Sequence, residues 1–157
     1  MGGNGSYSST LKGVPDASRT HNEATSRIDG HKILVQKQTE TQIKIPMNSN
    51  SENPTYLCAK VDKDGNVQIS SIAVYKNHKL VTSIDLVFDK DGNVIPYSPN
   101  KKSSHSHKWN ESSSGDVGRK RHDGGNTHPI PPGYKSLIDK IEKYNKEKHK
   151  WSKEKSQ

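Results

Sequence analysis

His105, His107, Lys108, Arg119, Lys120, Arg121, His122 and His128 crowd into one stretch of the chain that carries almost no aliphatic residues. Imidazole exchanges protons near neutral pH, and guanidinium holds phosphate through a planar fork of donors. The stretch therefore reads as a place for anion chemistry and not as part of a core.

Four uses of these side chains compete, and one, an HNH-type nuclease on His122-Asp123-Gly124-Gly125-Asn126-Thr127-His128, is set aside because the spacing does not match that family's ββα pattern. In a metal-independent cleavage of RNA, one histidine would take the proton of a ribose 2′-hydroxyl, another would protonate the leaving 5′-oxygen, and an arginine would steady the charge on the phosphorane. His107 and His122 fill the acid/base roles, with His128 in reserve and Arg119 or Arg121 as the charge stabiliser. A metal reading uses the same rings: His105-x-His107 puts two imidazoles on one side of an extended strand, and His122 and His128 would complete a four-nitrogen zinc shell. Asp116 and Asp123 are carboxylates close by, and a dication would add repulsion to a cationic cluster, so no metal is assigned and no cofactor is expected. In the simplest use, Lys101, Lys102, Lys108, Arg119, Lys120 and Arg121 hold the phosphates of a nucleic acid or another polyanion, Trp109 stacks on a base, and nothing is turned over. Polyanion binding without turnover is the expected function, and a small RNA-cleaving effector is the alternative.

Composition narrows what can position these groups. The chain of 157 residues is 27% hydrophobic and carries a net charge of +8. This allows one domain with a modest core and an electrostatic pull toward polyanions. No apolar run approaches the roughly 20 residues of a membrane span, and no charged segment followed by an apolar one opens the chain. A cytoplasmic place is expected, with no membrane partner. Cys58 is the single cysteine, and its place in an alternating apolar run predicts a buried structural thiol.

Residues 1–28 are rich in Gly, Ser, Thr and Asn and are expected to form a disordered leader. The opening Met1-Gly2 fits the pattern for myristoylation, but a plain glycine-rich leader is the preferred reading. Residues 29–149 are expected to form a single α+β domain, and 150–157 a charged tail running into solvent. Within the domain, His31–Gln36 and Gln42–Pro46 read as short strands. Thr55–Val61, Val67–Tyr75 and Ser83–Phe88 read as an antiparallel meander, with Val94-Ile95 as a further strand. The pentapeptide Asp-Lys-Asp-Gly-Asn occurs at 62–66 and again at 89–93. It begins like a calcium loop but lacks that loop's turn glycine and closing glutamate, so both copies are read as tight turns. Tyr134, Leu137, Ile138, Ile141 and Tyr144 recur at helical spacing and predict a helix over 133–149. The fold expected is a small antiparallel β-meander of three to five strands packed by one C-terminal helix.

The opening Met1-Gly2-Gly3-Asn4-Gly5 and the string His105-Ser106-His107-Lys108-Trp109, Gly118-Arg119-Lys120, His122-Asp123, Asn126 and Pro129-Ile130-Pro131 resemble small proteins of Gram-positive phages and prophages. Such proteins are encoded among portal and head-morphogenesis genes and have no assigned activity. The resemblance implies a prophage accessory or virion-associated protein, with phage head or portal proteins as partners. It transfers no catalytic residue, and it leaves an effector role open because phage structural operons can carry toxin domains.

Overall fold

The computed structural model describes residues 20–37, 45–111, 119–121 and 126–155. Strands β1 (His21–Ile28), β2 (His31–Gln36), β3 (Thr55–Val61), β4 (Val67–Lys76), β5 (Lys79–Asp85), β6 (His105–Glu111) and β7 (Arg119–Arg121) lie side by side in chain order. Helix α1 (Lys135–Lys146) and a short α2 (Trp151–Glu154) follow. The α+β class and the antiparallel β3–β4–β5 meander are as expected. The sheet is larger than three to five strands, because polar strands extend it on both sides.

Turn chemistry explains the connections. Asp29 and Gly30 (φ 52° and 79°) close the β1–β2 hairpin, and Asn77 and His78 (φ 52° and 70°) close β4–β5. Two successive positive φ values give the turn twist that matches antiparallel strands. Both Asp-Lys-Asp-Gly-Asn segments fold alike: Oδ1 of Asp62 accepts the amides of Asp64 and Asn66, and Oδ1 of Asp89 accepts those of Asp91 and Asn93. These carboxylate oxygens are spent on the turn itself. At Asp89 the amide of Asn93 leads the effects that hold the carboxyl below its ordinary range. The second turn leads only to an isolated bridge between Phe88 and Val94, so the strand expected at 94–95 does not form.

Alternation along the strands separates two cores. On one face Ile33, Leu57, Ile69, Ile72 and Ile84 meet Leu137, Ile138 and Ile141 of α1. On the other, Leu34, Tyr56, Cys58, Ala73, Tyr75 and Leu80 form a smaller cluster that no helix covers among the described residues. β3 pairs with β4 at Cys58–Ser71 and then at Ala59–Ile69, leaving Ser70 as an extra residue in β4. Such a bulge reverses the side-chain parity of the strand. It is what lets Ile69 and Ile72 share the helix face while Ser71 points to the other.

Several expectations need correction. β2 runs parallel to β3, not as part of a meander. The leader assigned to 1–28 contains β1, whose pairing with β2 satisfies the backbone despite a polar sequence. The strand expected over 42–46 lies mostly outside the described residues. The segment assigned as a charged tail folds back: α1 stops at Lys146, Lys148 takes φ 59°, the amide of Val67 donates to the carbonyl of His149 at 2.8 Å, and Trp151 packs on the larger core. Glu154 is buried there and accepts hydrogen bonds from Thr25, Ser26 and Tyr144. An apolar indole and a fully bonded carboxylate outweigh the charge of the flanking lysines, whose heads can stay in water.

Candidate functional site

β5 and β6 are paired so that Asp85 faces His105 and Ser83 faces His107. With a two-residue period, Ser83, Asp85, His105, His107 and Trp109 all fall on the face opposite α1. His107 is 3% exposed, although imidazole is usually found at least partly in water. Its Nδ1 lies 3.0 Å from the carbonyl oxygen of Asn126, and Nδ1 of His105 lies 2.7 Å from that of Ser103. A carbonyl oxygen can only accept, so each ring carries a hydrogen on Nδ1. Both Nε2 atoms then turn toward Oδ2 of Asp85, at 3.4 Å from His105 and 3.6 Å from His107.

This gathers two ring nitrogens and a carboxylate oxygen, donor atoms that a cation among the three groups would meet. The surroundings hold the trio in place. Ser71 donates its hydroxyl to Oδ1 of Asp85 at 3.0 Å, Trp109 donates its indole N–H to Ser83 at 2.8 Å, and the two imidazoles meet edge to face with centroids 4.8 Å apart. Cys58, opposite Ser71 on β3, takes no chemical part: burial and then the charge of Asp85 push its thiol up to about 12.

The residues singled out from sequence separate in the fold. His105 and His107 share one face, as the spacing requires. Ser106 exchanges both backbone hydrogen bonds with His128, at 2.8 and 3.1 Å. Residues so paired point the same way, so His128 belongs to the face opposite His105 and His107 and does not join them in a four-nitrogen shell. His122 and its acid/base role lie outside the described residues, as do Asp116 and Asp123. Lys101 and Lys102 are exposed in the loop before β6, and Lys108 is exposed on the face opposite His107. β7 runs antiparallel to the outer half of β6, with Trp109 beside Arg121, Asn110 beside Lys120 and Glu111 beside Arg119.

Asp85 was missed because its partners come from another strand. The available signal was its setting in Ser83-Ile84-Asp85-Leu86, where an ionisable residue alternates with core residues. No helix among the described residues is long and apolar enough to cross a membrane. Compared with protein-family models, with curated proteins and with solved structures, the chain finds no match.

Proposed function

We propose that this protein binds a nucleic acid or a similar polyanion along β6 and β7, as a prophage-type accessory protein. The observation that carries the reading is the pairing of β7, Arg119-Lys120-Arg121, alongside Trp109–Glu111 of β6, the strand that also carries the exposed Lys108 and follows the exposed Lys101 and Lys102. Cations gathered on one sheet edge release counterions when they meet phosphates, which favours binding at low salt. The phage context rests on the sequence resemblance alone. Filter binding with labelled RNA and DNA over a salt series tests the reading: affinity should fall steeply with salt, and binding that stays flat would remove it.

A second reading, cleavage of RNA, is favoured by one specific feature. His107 is buried with a carboxylate behind its Nε2 and a carbonyl on its Nδ1, an arrangement that can hold a proton in a fixed place. Incubation of the protein with RNA at enzyme excess, with and without chelator, separates the two. Absence of any cleavage leaves the binding role and ends the catalytic one.

A further inference from the structure

We propose that Asp85, His105 and His107 form a binding site for a divalent first-row transition metal, with zinc the ion the geometry fits. One donor atom from each residue lies within 4.8 Å of the others, and among the described residues they are the group so arranged. In a tetrahedral zinc site with bonds of about 2.1 Å, neighbouring donors stand about 3.4 Å apart. The separations of Oδ2 from the two Nε2 atoms, 3.4 and 3.6 Å, already match that edge. Only the approach of the two imidazoles to each other remains to tighten, which a small rotation of the edge-to-face rings supplies.

The shell behind the ligands supports the same assignment. Metal-bound histidines nearly always donate their second N–H to a carbonyl or carboxylate, which fixes the tautomer and aims the free nitrogen. His105 does so to Ser103 and His107 to Asn126. The spare oxygen of Asp85 is held by Ser71. The Ser103 carbonyl is itself anchored, because the hydroxyl of Ser103 donates to the carbonyl of Ser98 at 2.9 Å and accepts the amide of Ser98 at 2.7 Å. All three ligands sit on two hydrogen-bonded strands, which position side chains more rigidly than loops do.

The charge balance also agrees. The charge of a dication would be met in part by the Asp85 carboxylate, and the exposed Lys108 lies on the other face of β6. The side chains of Asp85 and His105 are 32% and 20% exposed, so a fourth position is open to water or to an oxygen of an anionic ligand. Three protein ligands with one open position is the pattern of sites that bind and polarise a ligand, not of closed structural sites. The site differs from the all-histidine shell considered from sequence, since Asp85 takes the place of His122 and His128. It does not rest on the polyanion reading.

The test uses the full chain, stripped with chelator and titrated with zinc by calorimetry and with cobalt(II) by visible absorption. One equivalent of metal should bind, with the intense d–d bands of a four-coordinate cobalt site. Asp85→Asn and His105→Ala should weaken binding by at least roughly 10–100-fold, the loss seen when even the groups behind metal ligands are altered. His31→Gln, four strands away, should bind as the unmodified protein does. Zinc should raise the melting temperature of the unmodified protein and not that of Asp85→Asn. If a variant does not fold, X-ray absorption on the zinc-loaded unmodified protein still decides, since the first shell must contain two imidazoles and oxygen. No saturable binding at millimolar metal, unchanged affinity in both ligand variants, or a shell with fewer than two imidazoles would each overturn the proposal. Loss of polyanion binding with zinc binding intact would instead remove the function proposed above.

Discussion

Tyr144 in α1 donates its phenolic hydrogen to Oε2 of Glu154 at 2.6 Å, and both residues are buried. The other carboxylate oxygen accepts the hydroxyls of Thr25 at 3.0 Å and Ser26 at 2.8 Å, and the ring of His149 stacks on Tyr144 with centroids 4.0 Å apart. Burial favours the neutral acid. The donors from Tyr144, Ser26 and Thr25, with His149 beside them, outweigh it and hold the Glu154 carboxyl below its ordinary value. The unfolded chain therefore takes up this proton at a higher pH than the folded one, so the stability from the ionised form is present above the unfolded value of about 4.3 and is lost as pH falls through the folded value. Glu154→Gln should cost about 1–3 kcal/mol at neutral pH. Urea unfolding of both proteins at a series of pH values should show that difference shrinking below the ordinary glutamate range; a constant difference would contradict the assignment.

Asn145 behaves as an extra strand residue. Its side-chain amide donates to the carbonyl of Ile69 and accepts the amide of Ile69, both at 2.9 Å, beside the β4 bulge. Asn145→Ala leaves both backbone groups buried and unbonded, at a cost of about 1–3 kcal/mol each. Asn145→Asp keeps only the acceptor and should fall between, as chemical denaturation can measure.

Cys58 should be inert in the native state. With its thiol pushed up to about 12, almost no thiolate is present at mildly alkaline pH, and the residue is 0% exposed. A thiol reagent should label it only as fast as the protein opens, and the rate should rise sharply in denaturant. Rapid labelling of the folded protein would show that the sheet face around it is open.

Polyanion affinity and the Asp85 cluster should separate by mutation. Neutralising Lys108, Arg119 and Arg121 together should reduce the slope of log affinity against log salt by about 0.7–0.9 for each phosphate that no longer meets a cation. His107→Asn should keep that slope unchanged, because the ring is buried away from the ligand. A flattened slope in the histidine variant would move the imidazole into the binding surface.

The elements with regular periods were legible in the sequence. β3, β4 and β5 alternate, their turns carry Asp-Gly and Asn-His, and α1 presents Leu137, Ile138 and Ile141 at helical spacing. β1 was not legible, since among Glu23, Thr25, Ser26 and Arg27 only Ala24 and Ile28 offer apolar surface, and the strand is held by β2 and by Glu154. The parallel β2–β3 pairing depends on where the chain returns after a long connection, which no local pattern encodes. At the site, the two-residue step from His105 to His107 announced a shared face. The arrival of Asp85 did not, because the β5–β6 register is set by the whole sheet. His128 shows the converse: it is close to His107 in space but one pairing position out of step, and that single step sends it to the other face.

The closure between Glu154 and β1 links residues 128 and 129 positions apart. Lys155 bridges to Ala24, Lys150 bridges to Asn66, and the amide of Trp151 reaches the carbonyl of Gly65 at 2.9 Å. On a ribosome, β1 and β2 emerge long before this strap does. Until Lys155 is clear of the exit tunnel, β1 is an edge strand lacking its carboxylate anchor, free to pair with another nascent chain. Native assembly of this sheet therefore waits on residues made more than a hundred positions later, and the turn that carries Glu154 is the one that locks β1.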